Sequence, residues 1–201
     1  MLEYNKYSDT ELLALLSNDD KHSDDAFRVI YEKYSAQIYG YSIYRSNSLE
    51  EAQEINQEAW ISFYNAMKNG AKTNKILPYL MKIVRNKSID RFRNERSSKN
   101  ISFEHIEPDH LERIADPFNW SSSIESKELS KLVRIAINSL SDTYKDAITL
   151  YWFGELDYKE IADICNETEQ CIRTRIARAF EKLAQLIKPY FIEQDNHKET
   201  K

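Results

Sequence analysis

Tyr158-Lys-Glu-Ile-Ala-Asp-Ile-Cys165, a short break, then Cys171-Ile-Arg-Thr-Arg-Ile-Ala-Arg178 reads as a helix-turn-helix. Asp157 stands where an N-cap is needed, and Ile161, Ala162 and Ile164 make an inward face. Ala162 suits a tight helix crossing, which leaves space for little more than a methyl group. Asn166 adopts a left-handed turn conformation at low cost. Thr168 caps the second helix, whose buried stripe is Ile172, Ile176, Ala179 and Leu183. Gln170, Arg173, Thr174 and Ala177 then face outward, with Arg175 and Arg178 on the flanks. In such a motif the N-terminal part of the second helix enters the major groove of duplex DNA. Arg173 is the candidate base-edge reader, because a guanidinium pairs bidentately with guanine. Arg175, Arg178 and Lys182 suit phosphates, which position a helix without reading sequence. An ordinary amphipathic helix with a solvated basic face would show the same spacing.

Working outward, Ser141-Asp-Thr-Tyr starts a supporting helix through Ala147, Ile148, Leu150 and Tyr151, which stops at Gly154. Far upstream lies a second cassette, Tyr79-Leu-Met-Lys-Ile-Val-Arg-Asn-Lys-Ser-Ile-Asp-Arg-Phe-Arg93. Its helix holds Ile76, Leu77, Leu80, Ile83, Val84, Ile89 and Phe92 on one side and Lys82, Arg85, Lys87, Arg91, Arg93 and Arg96 on the other. Cations interleaved with aromatic rings suit single-stranded or melted DNA, where charges track the backbone and rings accept unstacked bases. The polar loop at 69–75 can wall such a pocket, and the Asn86 amide can read a base edge. Asn86, Asp90 and Arg93 can equally form an intrahelical network that only orients the helix.

The remaining pattern is helical. Ser8 and Glu11 form a capping box ahead of Leu12, Leu13, Leu15 and Leu16. Ser23 starts a second helix with Phe27, Ile30, Tyr31, Tyr34, Ile38 and Tyr41 at three- and four-residue intervals. Ser48 and Glu51 form another capping box. They lead into a helix with Ala52, Ile55, Ala59, Ile61, Phe63 and Ala66 among its apolar positions, ended by Asn69-Gly70. Trp60, Phe63 and Tyr64 recur at core spacing rather than as a stacking platform. Glu54, Gln57 and Glu58 share an outward face, either solvated or used for protein docking. Periodicity is lost over 97–126, where Pro108, Pro117 and the acids Glu104, Glu107, Asp109, Glu112 and Asp116 mark a linker. It is long for a connection inside one compact domain. The helical pattern resumes at Ser126 and runs to about Ile187.

Three Gly, four Pro and abundant helix formers favour an all-α chain, and 201 residues leave room for two small domains. A net charge of −5 is unusual for a protein that coats DNA, since nonspecific affinity comes from neutralising phosphates. The basic residues must be clustered, or a partner must supply most of the affinity. Cys165 and Cys171 lack zinc-site spacing and a nearby His, and read as packing residues in a reduced compartment. His22, His105, His110 and His197 are scattered. No phosphate loop, nucleophile motif or metal cluster is evident, so neither catalysis nor a cofactor is expected. No signal peptide is visible and no apolar stretch is long enough to span a bilayer, so stable membrane insertion is not expected and a cytoplasmic location is.

Leu49-Glu-Glu-Ala-Gln-Glu-Ile-Asn-Gln-Glu-Ala-Trp60, Tyr79-Leu80 and Arg85-Asn-Lys-Ser-Ile-Asp-Arg-Phe-Arg93 together resemble region 2 of bacterial sigma factors. Leu140-Ser141, Leu156-Asp-Tyr-Lys-Glu-Ile-Ala162 and Ile172-Arg-Thr-Arg175 look like region 4. With a short acidic linker between them, the chain is similar to the extracytoplasmic-function group of the sigma-70 family over about residues 24–188. The resemblance implies an alternative sigma factor with region 2 over 1–96, a linker over 97–126, region 4 over 127–190 and a polar tail over 191–201. It implies docking of Glu54, Gln57 and Glu58 on the clamp helices of the largest subunit of core RNA polymerase, with the flap as a further contact. For promoter DNA it implies a −10 set of Asn69, Lys72, Asn74, Asn86, Lys87, Asp90, Arg91 and Arg93. The implied −35 set is Thr168, Gln170, Arg173, Thr174, Arg175 and Arg178. An anti-sigma factor is the further implied partner. Ser141, Asn166, Glu167, Cys171 and Phe180 depart from the family's usual Pro, Gly, apolar, Thr and Arg, and Glu54 from its usual Asp.

Two other readings compete. A free-standing helix-turn-helix regulator would leave the acidic strip and the upstream basic helix unexplained. An adaptor that mimics a sigma surface would have no use for Arg173, Arg175 and Arg178.

Overall fold

A computed structural model describes the backbone of residues 6–18, 21–98 and 132–198, and the side chains of these except 21, 95–98 and 190–198. Every regular element among the described residues is a helix. The first unit holds α1 (Asp9–Ser17), α2 (Lys21–Tyr44), α3 (Leu49–Lys68) and α4 (Ile76–Ser98). The second holds α5 (132–138), α6 (Asp142–Gly154), α7 (Tyr158–Cys165) and α8 (Glu169–Lys198). The chain divides between them at Ile106 and Glu107. The linker acids and prolines, and the restart at Ser126, lie outside the described residues.

In the first unit α2 packs on α1, α3 and α4, and α3 on α4. Leu12, Leu16, Ile30, Ile38, Tyr41, Ile55, Phe63, Met67, Ile76, Leu80 and Met81 are fully buried. Each large apolar side chain so removed from water contributes about 1.5–3 kcal/mol. Trp60 is core as well: Phe27 and Phe63 meet its ring edge-on, with centroids 5.9 and 6.2 Å away. Ile61 departs from expectation, at 53% exposed. It lies on the solvent side of α3, off the stripe of Ala52, Ile55, Ala59 and Phe63.

The caps explain where the helices begin. At α1 the Ser8 N–H donates to Glu11 Oε2 (2.8 Å) and the Glu11 N–H to Ser8 Oγ (3.3 Å), the expected box. At α3 the Glu51 N–H donates to Ser48 Oγ (3.1 Å), but the Glu51 carboxylate reaches one residue further back, to the Asn47 N–H (2.6 Å). Ser23 does not start α2, which is already helical at Lys21. Its buried hydroxyl instead donates to the Leu16 carbonyl (3.1 Å), tying α2 to the end of α1. Gly70, at φ +81°, closes α3: its N–H donates to the Met67 carbonyl (3.1 Å) and that of Ala71 to Ala66 (2.9 Å).

In the second unit α8 packs on α6 and α7. The expected stripe of Ile172, Ile176, Ala179 and Leu183 is buried, as are Ile161, Ala162 and Ile164. Asp157 and Glu160 cap α7 reciprocally, at 2.8 and 3.1 Å. Asn166 is left-handed as expected (φ 54°), and the Glu167 N–H closes the turn on the Ala162 carbonyl (3.0 Å). α6 ends at Gly154 as expected, and Glu155 after it turns left-handed (φ 48°). Ser141 sits at the N-cap of α6 without a side-chain cap bond. The last helix runs past Ile187, through Pro189, to Lys198. Proline's fixed φ is itself helical and costs the helix one N–H donor.

Candidate nucleic-acid and polymerase interface

The surface expected to read the −35 element is the outer side of α8. Thr168 Oγ1 accepts the Cys171 N–H (3.2 Å), which caps the N-terminal turn that a helix-turn-helix presents to DNA. Gln170, Arg173 and Arg178 are exposed, and Thr174 and Arg175 partly so. Thr174 Oγ1 donates to the Gln170 carbonyl (2.9 Å), so its methyl group is the part left to face outward. Two of the arginines are steered. The Arg173 Nε and Nη2 donate to Glu169 Oε1 (3.1 and 2.6 Å), and Arg175 Nη2 to Glu167 Oε1 (2.6 Å). The Glu167 carboxylate, against slight burial, holds the Arg175 guanidinium above its ordinary pKa. Arg178 makes no ion pair among the described residues. Lys182 lies over the Tyr144 ring, 5.7 Å from its centroid.

The region 2 surface joins two sets of residues that sequence reasoning kept apart. Arg91 Nη1 donates to Glu54 Oε2 (2.6 Å), Arg91 Nη2 to Glu58 Oε1 (2.7 Å), and Lys87 Nζ to Glu58 Oε2 (3.2 Å). The Arg91 hydrogen bond, then that of Lys87, hold the Glu58 carboxyl below its ordinary pKa against partial burial. Two of the carboxylates on α3 expected to dock and two cations on α4 expected to meet DNA thus form one cross-helix cluster, with Gln57 exposed beside it. Asn86 and Asp90 are exposed and their side chains make no hydrogen bond among the described residues, so the intrahelical network with Arg93 is not formed. Asn69, Lys72 and Asn74 are exposed on the loop before α4. There Thr73 Oγ1 accepts the Lys75 N–H (3.3 Å) and donates to the Lys75 carbonyl (2.9 Å).

Three features escaped the periodicity. Ile61 extends the Glu54–Gln57–Glu58 face by a turn with an apolar group. Asp9 ties α1 to α2 and α4. Tyr151, Trp152, Glu155, Leu156 and Phe180 line an open cleft of about 390 Å³. The aromatic run Tyr151-Trp152-Phe153, five to seven residues ahead of the capped helix that starts at Tyr158, was the available signal for the last. Cys165 and Cys171 are not joined in a disulfide and are partly buried. No helix among the described residues is long and apolar enough to cross a membrane.

A capped recognition helix in one helical unit and a basic helix with a polar loop in another define a DNA-directed protein of the transcription machinery. The family model "Sigma-70 region 2" matches residues 30–98, and "Sigma-70, region 4" matches residues 130–183. Among curated proteins the chain is similar to the ECF RNA polymerase sigma factor SigW of Bacillus subtilis (strain 168), 29% identical over 84% of this chain and 92% of that one. It is also similar to the ECF RNA polymerase sigma factor SigM of the same organism, 27% identical over 78% and 92%. In fold it is similar to the sigma factor RpoE from Bartonella quintana, solved in complex with the anti-sigma factor NepR. The TM-score is 0.65 at 18% identity, covering 84% of this chain and 98% of that one. The chain belongs to the extracytoplasmic-function group of the sigma-70 family, and acts as an alternative sigma factor that directs RNA polymerase. Members of this family are initiation factors rather than catalysts.

Proposed function

We propose that the work of initiation is divided between the units. Residues 1–96 dock on core polymerase through Glu54, Gln57 and Glu58, with Ile61 adding an apolar contact. They also open and hold the −10 element through Asn69, Lys72, Asn74, Asn86, Lys87, Asp90, Arg91 and Arg93. Residues 127–190 read the −35 element through Thr168, Gln170, Arg173, Thr174, Arg175 and Arg178. Residues 97–126 connect the two, and 191–201 form a polar extension. The chain does no chemistry of its own and works in the cytoplasm, where promoters are. An anti-sigma factor, such as the one solved with RpoE, holds it until it is needed; co-purification from unstressed cells is the check.

The observation that carries this reading is the outward row of Arg173, Thr174 and Arg178 on a helix capped by Thr168 and backed by α6 and α7. The cross-helix cluster adds that Lys87 and Arg91 neutralise the docking carboxylates while the chain is free.

The test is run-off transcription with sigma-free core polymerase and the chain's own upstream DNA. The expected result is a discrete transcript that requires the chain. Changing Gln57→Ala together with Glu58→Ala should weaken polymerase binding several-fold and leave the −35 preference of residual transcription intact. Unchanged affinity would remove the strip from the interface. Duplex binding without polymerase, and no transcript, would favour a stand-alone regulator.

A further inference from the structure

We propose that Tyr158 is a positioning residue for −35 recognition, holding the Arg173 guanidinium in the orientation in which it meets a base pair. The inference rests on the assignment of Arg173 as a base reader.

Tyr158 opens α7 directly after the Asp157 cap, away from the buried stripe of Ile161, Ala162 and Ile164. The Arg173 Cζ lies 4.5 Å from the centroid of its ring, within the range of a cation–π contact. The ring is itself fixed from behind. It stacks on Tyr151 of α6 with centroids 5.6 Å apart and planes 7° from parallel. Phe180 of α8 in turn meets Tyr151 edge-on, at 6.1 Å and 90°. Three rings from three helices therefore form a ladder that ends on Arg173. Glu169 holds the Nε side of the same guanidinium. With one face on a ring and one edge on a carboxylate, the outer Nη1–Nη2 edge is left for the two acceptors of a guanine. The Tyr158 hydroxyl makes no hydrogen bond among the described residues, so the ring face is the working part.

The experiment uses holoenzyme, full chain plus core polymerase, on templates carrying single base-pair changes across the −35 element. The readout is the discrimination ratio at each position. Arg173→Ala should abolish discrimination at one position. Tyr158→Leu should lower that same ratio by about two- to five-fold, the scale of an exposed cation–π contact, and leave the other ratios alone. Tyr158→Phe should match the unsubstituted chain, and Tyr158→Leu should add nothing in the Arg173→Ala background. Tyr158→Met keeps apolar bulk against Tyr151 without a ring, and serves if the Leu variant misfolds. An equal drop on every template, or a Phe variant as impaired as Leu, would overturn the positioning role. If Arg173→Ala moves one ratio and Tyr158→Leu does not, only the role of Tyr158 falls. If Arg173→Ala moves none, the base-reader assignment falls and this inference with it.

Discussion

Asp9 joins three helices through one carboxylate. Its Oδ1 accepts from the Tyr34 hydroxyl (2.5 Å) and Lys33 Nζ (3.0 Å), and its Oδ2 accepts the N–H of Ile76, the first residue of α4 (2.9 Å). Asp9 of α1 thereby satisfies an orphan donor at the start of the basic helix and fixes the end of the 69–75 loop. Burial pushes the carboxyl up, but the bonds from Tyr34, Ile76 and Lys33 outweigh it and leave it below its ordinary pKa. For the Tyr34 phenol, burial and the bond to Asp9 act together and raise it. A carboxylate depressed in the folded state contributes stability that is fully present above its unfolded pKa of about 3.9. That stability is lost as pH falls through the lower folded value. Asp9→Asn should therefore cost about 1–3 kcal/mol at neutral pH and remove this acid-dependent part of the first unit's stability. Thermal unfolding of both chains from pH 7 to pH 3 checks it; parallel curves would show that Asp9 carries none of the dependence.

At the scale of elements, two turns of the second unit face the same demand with different residues. Asn166 ends α7 at φ 54° and Glu155 ends α6 at φ 48°. Asn accepts the left-handed region through its short polar side chain, whereas Glu has no such relief, and a non-glycine residue there costs about 1–2 kcal/mol. Glu155→Gly should stabilise the second unit by about 1 kcal/mol after glycine's own entropy loss is counted. Chemical unfolding followed by the fluorescence of Trp152, which lies beside this turn, measures it. A lower midpoint would mean that the Glu155 side chain contributes more than its backbone strain costs. The sequence pattern stops α6 at Gly154, where the structure also ends it, and the structure adds that Glu155 takes the left-handed turn. A glycine one position early is indistinguishable in sequence from the turn residue itself.

For the whole molecule the governing quantity is charge. A chain of net charge −5 that must reach phosphates relies on a few of its 28 cations, and in the free chain several of these are paired. Lys87 and Arg91 lie against Glu54 and Glu58, Arg173 against Glu169 and Arg175 against Glu167. Exposed pairs like these are worth about 0–1 kcal/mol each, so they shield without locking. Duplex binding by the free chain should therefore be weak, with a shallow salt dependence. With Arg175, Arg178 and Lys182 as phosphate contacts at about −0.9 each, the log–log salt slope should be near −3. Fluorescence anisotropy across a salt series tests this. A much steeper slope would show that the region 2 cations also grip duplex DNA without polymerase.

The helices, most of their caps, the two buried stripes and the left-handed Asn166 were determined by the sequence alone, because each depends on residues within about four positions of one another. The family's motifs, carried by residues such as Gln57, Glu58, Tyr158 and Arg173, were legible for the same reason. The tertiary structure alone decided that Asp9 caps a helix 67 residues away and that Arg91 turns to Glu54, 37 residues back. It also decided that Ile61 faces solvent and that Tyr158 carries Arg173. In each case a side chain with several acceptable partners took the one that helix packing brought within reach, and local periodicity holds no record of that choice.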